Sequence, residues 1–163
     1  MKKAVCLALC LFWVSWVAVS CGGTENATYA GVLRGNFCAE VQGVLNGTDF
    51  SARVEAREGE AGREVVVTFY APNEIYGTEA VKRADGSGYL KAGTVLLEGG
   101  ESGMAPFFDL FLSEPIVEDV VLNESGHTEV RAKGTVLTLL PDGTPYRLTA
   151  STAELTVISW EAH

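Results

Sequence analysis

Two rows of alternating apolar residues flank an Asn-Gly dipeptide, and no other stretch constrains the fold of this chain as tightly. From Phe37 to Gly43 the apolar or small side chains occupy odd positions (Phe37, Ala39, Val41, Gly43). From Phe50 to Arg57 they occupy even ones (Phe50, Ala52, Val54, Ala56). A period of two describes a strand with one buried face. Between the rows, Asn46-Gly47 accepts the two positive φ values of a type I′ turn. With that dipeptide as the loop, Val41 faces Ala52, Ala39 faces Val54 and Phe37 faces Ala56, so a single register brings both rows onto one face. The same register sets Glu40 opposite Arg53 on the wet face.

The β rhythm continues. A third strand is expected over Glu64–Tyr70, with Val65, Val67 and Phe69 inward, and Pro72 ends it because proline has no amide hydrogen to donate. Shorter strands follow at Glu79–Arg83 and Tyr89–Leu97, on either side of the turn Asp85-Gly86-Ser87-Gly88. The C-terminal third predicts strands at Glu129–Leu140, Tyr146–Ala150 and Glu154–Trp160, with a turn at Pro141-Asp142-Gly143. On the last strand the inward row is either Leu155, Val157 and Ser159 or Thr156, Ile158 and Trp160. One segment departs from this pattern. Met104, Phe107, Phe108 and Phe111 recur at helical spacing between Pro106, suited to a first helical turn, and Pro115, a stop. Only Asp109 and Ser113 interrupt its apolar surface, so this helix of two to three turns has to be covered on most sides. It serves as a core plug, as a lid over an apolar cavity, or as a membrane-touching element.

The first twenty residues carry a different message. Lys2 and Lys3 precede an apolar run from Ala4 to Ser20, the pattern of an export signal. Its removal takes the formal charge from −9 to −11, a field that repels nucleic acid and acidic membrane surfaces. All 18 glycines lie in the remaining chain, which disfavours long helices and favours short strands joined by turns. Cys21 follows Ala18-Val19-Ser20 and precedes Gly22-Gly23, resembling a lipobox whose cysteine is diacylated. Two acyl chains would hold the protein durably on the extracytoplasmic face of a membrane. The other readings of this junction are an ordinary cleaved signal with Cys21 paired to Cys38, or a retained N-terminal helix. The expected organisation is a signal peptide over 1–20, a lipidated tether over 21–35 and one β-rich domain over 36–163. Cys38 itself reads as a small, half-buried strand residue.

Catalysis has little to work with. Beyond Cys21 only His127 and the terminal His163 supply imidazole, and His127 sits in the polar turn Asn123–Thr128. Three or four zinc ligands cannot be assembled from this stock, and no phosphate-binding or nucleophile-elbow motif occurs. No enzyme, cofactor or metal is expected.

The order of pieces resembles a family. A hairpin opening on Phe37-x-Ala39-x-Val41, a strand running into Pro72 and Gly77, short strands, an apolar helix and closing hairpins ending Ile158-Ser159-Trp160-Glu161 resemble small Gram-positive lipoproteins. These in turn are similar to the lipoprotein-carrier superfamily of LolA, LppX and LprG. The resemblance implies a mainly β fold, an antiparallel sheet curled into an incomplete barrel whose concave face is covered by a short apolar helix and can accept acyl chains. On this reading the candidate ligand-lining residues are Val54, Val67, Phe69, Phe107, Phe108 and Phe111. Two functions follow: a membrane-anchored protein that binds or shields a lipid or other apolar ligand, or a structural or protein-interaction lipoprotein whose barrel is filled by its own side chains.

Overall fold

The computed structural model describes residues 31–60, 62–112 and 116–163. The signal segment, Cys21 and its lipobox therefore lie outside the described residues. Eleven antiparallel strands form one sheet: β1 (Phe37–Leu45), β2 (Thr48–Gly59), β3 (Gly62–Ala71), β4 (Glu79–Arg83), β5 (Gly88–Ala92), β6 (Val95–Glu98), β7 (Val117–Leu122), β8 (Thr128–Ala132), β9 (Thr135–Leu139), β10 (Pro145–Ala150) and β11 (Ala153–Ala162). Their order across the sheet is β6-β5-β4-β3-β2-β1-β11-β10-β9-β8-β7. The sheet is open, since β6 and β7 are its two edges and do not pair. An α-helix, α1 (Ala105–Leu112), connects those edges. It therefore has to cross the sheet, and its apolar surface makes the concave face the favoured route.

The first hairpin forms in the register that the two apolar rows dictate: Val41 opposite Ala52, Ala39 opposite Val54, Phe37 opposite Ala56. Asn46 (φ 50°) and Gly47 (φ 80°) make the turn. Glu40 does stand opposite Arg53, but Arg53 pairs instead with Glu55 on its own strand at 2.7 Å. Two other expectations change. Tyr89–Leu97 is two strands folded back at Gly93-Thr94, and Glu129–Leu140 is likewise two, folded at Lys133-Gly134. In addition, β7 occupies a stretch for which no strand was expected. On β11 both inward rows are used in turn. A bulge opposite Glu40/Val41 passes over Ile158, so Leu155 and Val157 point inward before it and Trp160 after it. Trp160 stacks on Phe37 with ring centres 4.2 Å apart.

Phe37, Ala39, Val41, Val54, Val65, Val67, Leu139, Leu148 and Leu155 line the concave face and are all buried. Phe107, Phe108 and Phe111 of α1 pack onto them and are buried too. Arg63 fastens the lower end of this assembly. Its guanidinium donates to the carbonyls of Leu33, Arg34 and Gly35, and at 3.0 Å to that of Phe111. One half-buried cation thus ties the chain ahead of β1 to the last turn of α1, whose carbonyls have no partner within the helix.

Candidate functional site

An apolar cleft of about 210 Å³ opens at the end of the sheet away from Arg63. Its floor is Phe50 and Phe69, inward residues of β2 and β3 near the Asn46-Gly47 turn. Leu45 and Thr48, which flank that turn, form one side. Pro72 and Ile75, from the loop after β3, form the second, with Thr78 beside them. Leu90 of β5 and Met104, just ahead of α1, close the third. Aliphatic and aromatic atoms dominate the lining, and the two threonines supply the polar groups, the composition of a small-molecule site. Residues 33–35, ahead of β1, lie at the Arg63 end, so the cleft opens at the opposite end from them.

The six residues expected from the sequence are distributed between this cleft and the core behind it. Phe69 lines the cleft. Val54 and Phe111 border a separate void of about 10 Å³, room for roughly one water. Val67, Phe107 and Phe108 line neither space and have no exposed surface. Phe107 meets Phe50, Phe108 and Phe111 at ring-centre distances of 5.9, 6.0 and 5.3 Å, mostly edge to face, an arrangement that aromatic quadrupoles favour. The middle of the concave face is thus filled by the protein itself, and open volume remains at the turn end. Phe50 could have been found from the sequence as the next member of the Val54 row. Ile75, Thr78 and Leu90 carry no comparable signal, because only the curl of the sheet brings them together.

A second depression, about 500 Å³, lies over Asn46, Gly47 and residues 149–154. It is shallow and open to solvent, so it cannot keep water from an apolar ligand. Cys38 is a free, half-buried thiol on the convex face. Burial pushes its pKa up, against the pull of Arg53, the opposite of what a reactive thiolate requires. His127 lies in its turn, where its amide donates to Asn123 Oδ1 at 3.0 Å. Among the described residues no group of three or more His, Cys, Asp or Glu is placed to hold a metal.

No protein-family model matches the chain, and no curated protein is similar to it. Solved structures are. A LolA superfamily protein from Nitrosomonas europaea is 8% identical and superposes with a TM-score of 0.44, covering 86% of this chain and 93% of that one. A domain provisionally described as an outer membrane lipoprotein-sorting protein, from Vibrio parahaemolyticus, is 11% identical with a TM-score of 0.48 over 86% and 92% of the two chains. An uncharacterized conserved protein from Thermus thermophilus is 18% identical with a TM-score of 0.51 over 86% of each chain, a likeness that places this open sheet and its crossing helix among known folds.

Proposed function

We propose that this protein binds an apolar ligand of the acyl-chain class in the cleft between Phe50, Phe69, Ile75, Leu90 and Met104, without covalent chemistry, while a diacylglyceryl group on Cys21 holds it to the extracytoplasmic face of a membrane. The observation that carries this reading is a cleft walled almost wholly by apolar side chains at an open end of the sheet. Each methylene moved from water into such a site contributes about 0.8 kcal/mol. The order of elements that resembles the lipoprotein carriers supports the same reading. A second reading, an interaction lipoprotein with a self-filled barrel, is favoured by the buried cluster Phe107, Phe108 and Phe111 and by a cleft smaller than the ~300 Å³ at which ligand pockets usually begin.

Titration with a fluorescent fatty acid separates the two. The binding reading expects a saturable signal at micromolar probe, displaced by added phospholipid. It also expects Ile75→Trp, which fills the cleft from its rim, to weaken binding about tenfold or more with little change in melting temperature. A parent protein giving no saturable signal would leave the interaction reading standing. The anchor is tested separately: Cys21→Ser should abolish labelling by an alkyne-palmitate analogue and release the protein from the membrane fraction. Unchanged labelling would remove the anchor from the proposal.

A further inference from the structure

Between β6 and α1 the chain reads Gly99-Gly100-Glu101-Ser102-Gly103-Met104. Gly99 adopts a left-handed conformation (φ 70°), and an added Cβ at Gly103 would touch nothing within 4 Å. This segment lies against the concave side of β4 and β5. A Cβ on Gly100 would meet the Cβ atoms of Leu90 and Leu97 at 3.1 Å. Glu101 follows and is 2% exposed. Its Oε1 accepts from Lys82 Nζ at 2.8 Å, and the same ammonium donates to the Gly86 carbonyl at 2.8 Å. Lys82 is paired with Val65 in the ladder, so it shares that residue's inward face. Gly88 leaves the space the carboxylate occupies, since a Cβ there would lie 2.6 Å from Glu101 Cδ. The other carboxylate oxygen, Oε2, is buried with no hydrogen-bond donor among the described residues. Three residues further on, Met104 forms a wall of the cleft.

We propose that residues 99–104 are a strap that swings to widen the cleft, and that the Lys82–Glu101 pair is the latch holding it down. The Glu101 carboxylate is buried while the Lys82 side chain keeps 21% of its surface exposed, so the attraction that offsets the carboxylate's desolvation is partly screened, and one carboxylate oxygen lacks the donor that would complete the exchange. The latch is thereby held close to balance, while the glycines let the segment pivot. Opening would carry Met104 away from Leu90 and enlarge a space that is small in the closed form. The role in ligand access rests on the binding function proposed above; the motion itself does not.

Hydrogen exchange on the full chain tests the motion directly. Gly99 donates to the Gly88 carbonyl on β5, so its amide reports whether the strap is down. Lys82→Met leaves a buried carboxylate without its cation and should speed exchange at this amide about tenfold or more, with the β1–β2 amides unchanged. The double variant Lys82→Met with Glu101→Leu replaces the pair by apolar groups and should slow exchange below the parent's. Release of the fatty-acid probe should follow the same order, fastest in the single variant and slowest in the double. Strap exchange equal to the parent's in the double variant overturns the latch, whether or not Lys82→Met folds, and so does faster exchange spread evenly over the sheet in the single one. A parent that binds no probe defeats the binding function alone, because the exchange pattern still decides the strap.

Discussion

Val54→Asp is expected to leave the protein unfolded at room temperature. Val54 has no exposed surface and stands in the middle of the sheet, opposite Ala39 on one side and Val67 on the other. A carboxylate at that point has no cation and no donor, and either the buried charge or the proton needed to neutralise it costs several kcal/mol. A domain of this size is stable by only about 5–15 kcal/mol. Arg53→Ala, one residue away on the opposite face, removes an exposed pair with Glu55 and a surface interaction with the Cys38 thiol and should melt like the parent. Circular dichroism melts of the two variants check this, and similar curves would show that the inward and outward rows of β2 have been exchanged.

Phe108→Ala should be a costly truncation in the helix. The ring is fully buried and meets Phe107 edge to face at 6.0 Å, away from the cleft where solvent or ligand could take its place. Loss of its contacts and the cavity left behind should lower stability by about 3–5 kcal/mol, a fall in melting temperature on the order of 10–20 °C. Urea denaturation with an unchanged slope would confirm that the native state alone is affected. A loss below about 1 kcal/mol would mean that α1 does not pack on the sheet as described.

What could be read in the sequence depended on whether one face of a segment was strictly buried. Around Asn46-Gly47 two apolar rows of opposite parity meet at a turn that needs two positive φ values, and only one register satisfies both. The folds at Gly93 and Gly134 (φ 59° and 77°) were hidden because Ala92 and Val95, and Ala132 and Thr135, sit on either side without interrupting the rhythm. Adjacent acids at Glu118 and Asp119 concealed β7, an edge strand with one side exposed to water. On β11 the bulge at Ile158 reverses parity midway, so neither uniform row describes it. The cleft was less legible than the core. Its walls come from segments spread between Leu45 and Met104, and nothing local in Ile75 or Thr78 marks them as neighbours of Leu90.

The pairing of the first strand with the last has a kinetic consequence. Phe37 lies opposite Ala162 and Leu45 opposite Ala153, so the central seam of the sheet joins residues more than a hundred positions apart. Hairpins on either side close locally and early, whereas this seam has to await Ala153–Ala162 and incurs the loop-closure entropy of a separation of more than a hundred residues. Until those residues emerge during synthesis, β1 keeps an unpaired edge and the two halves of the sheet stay separate. The concave face therefore comes into existence as the last event of folding, and a chain cut before Ala153 would present that open edge permanently to other strands.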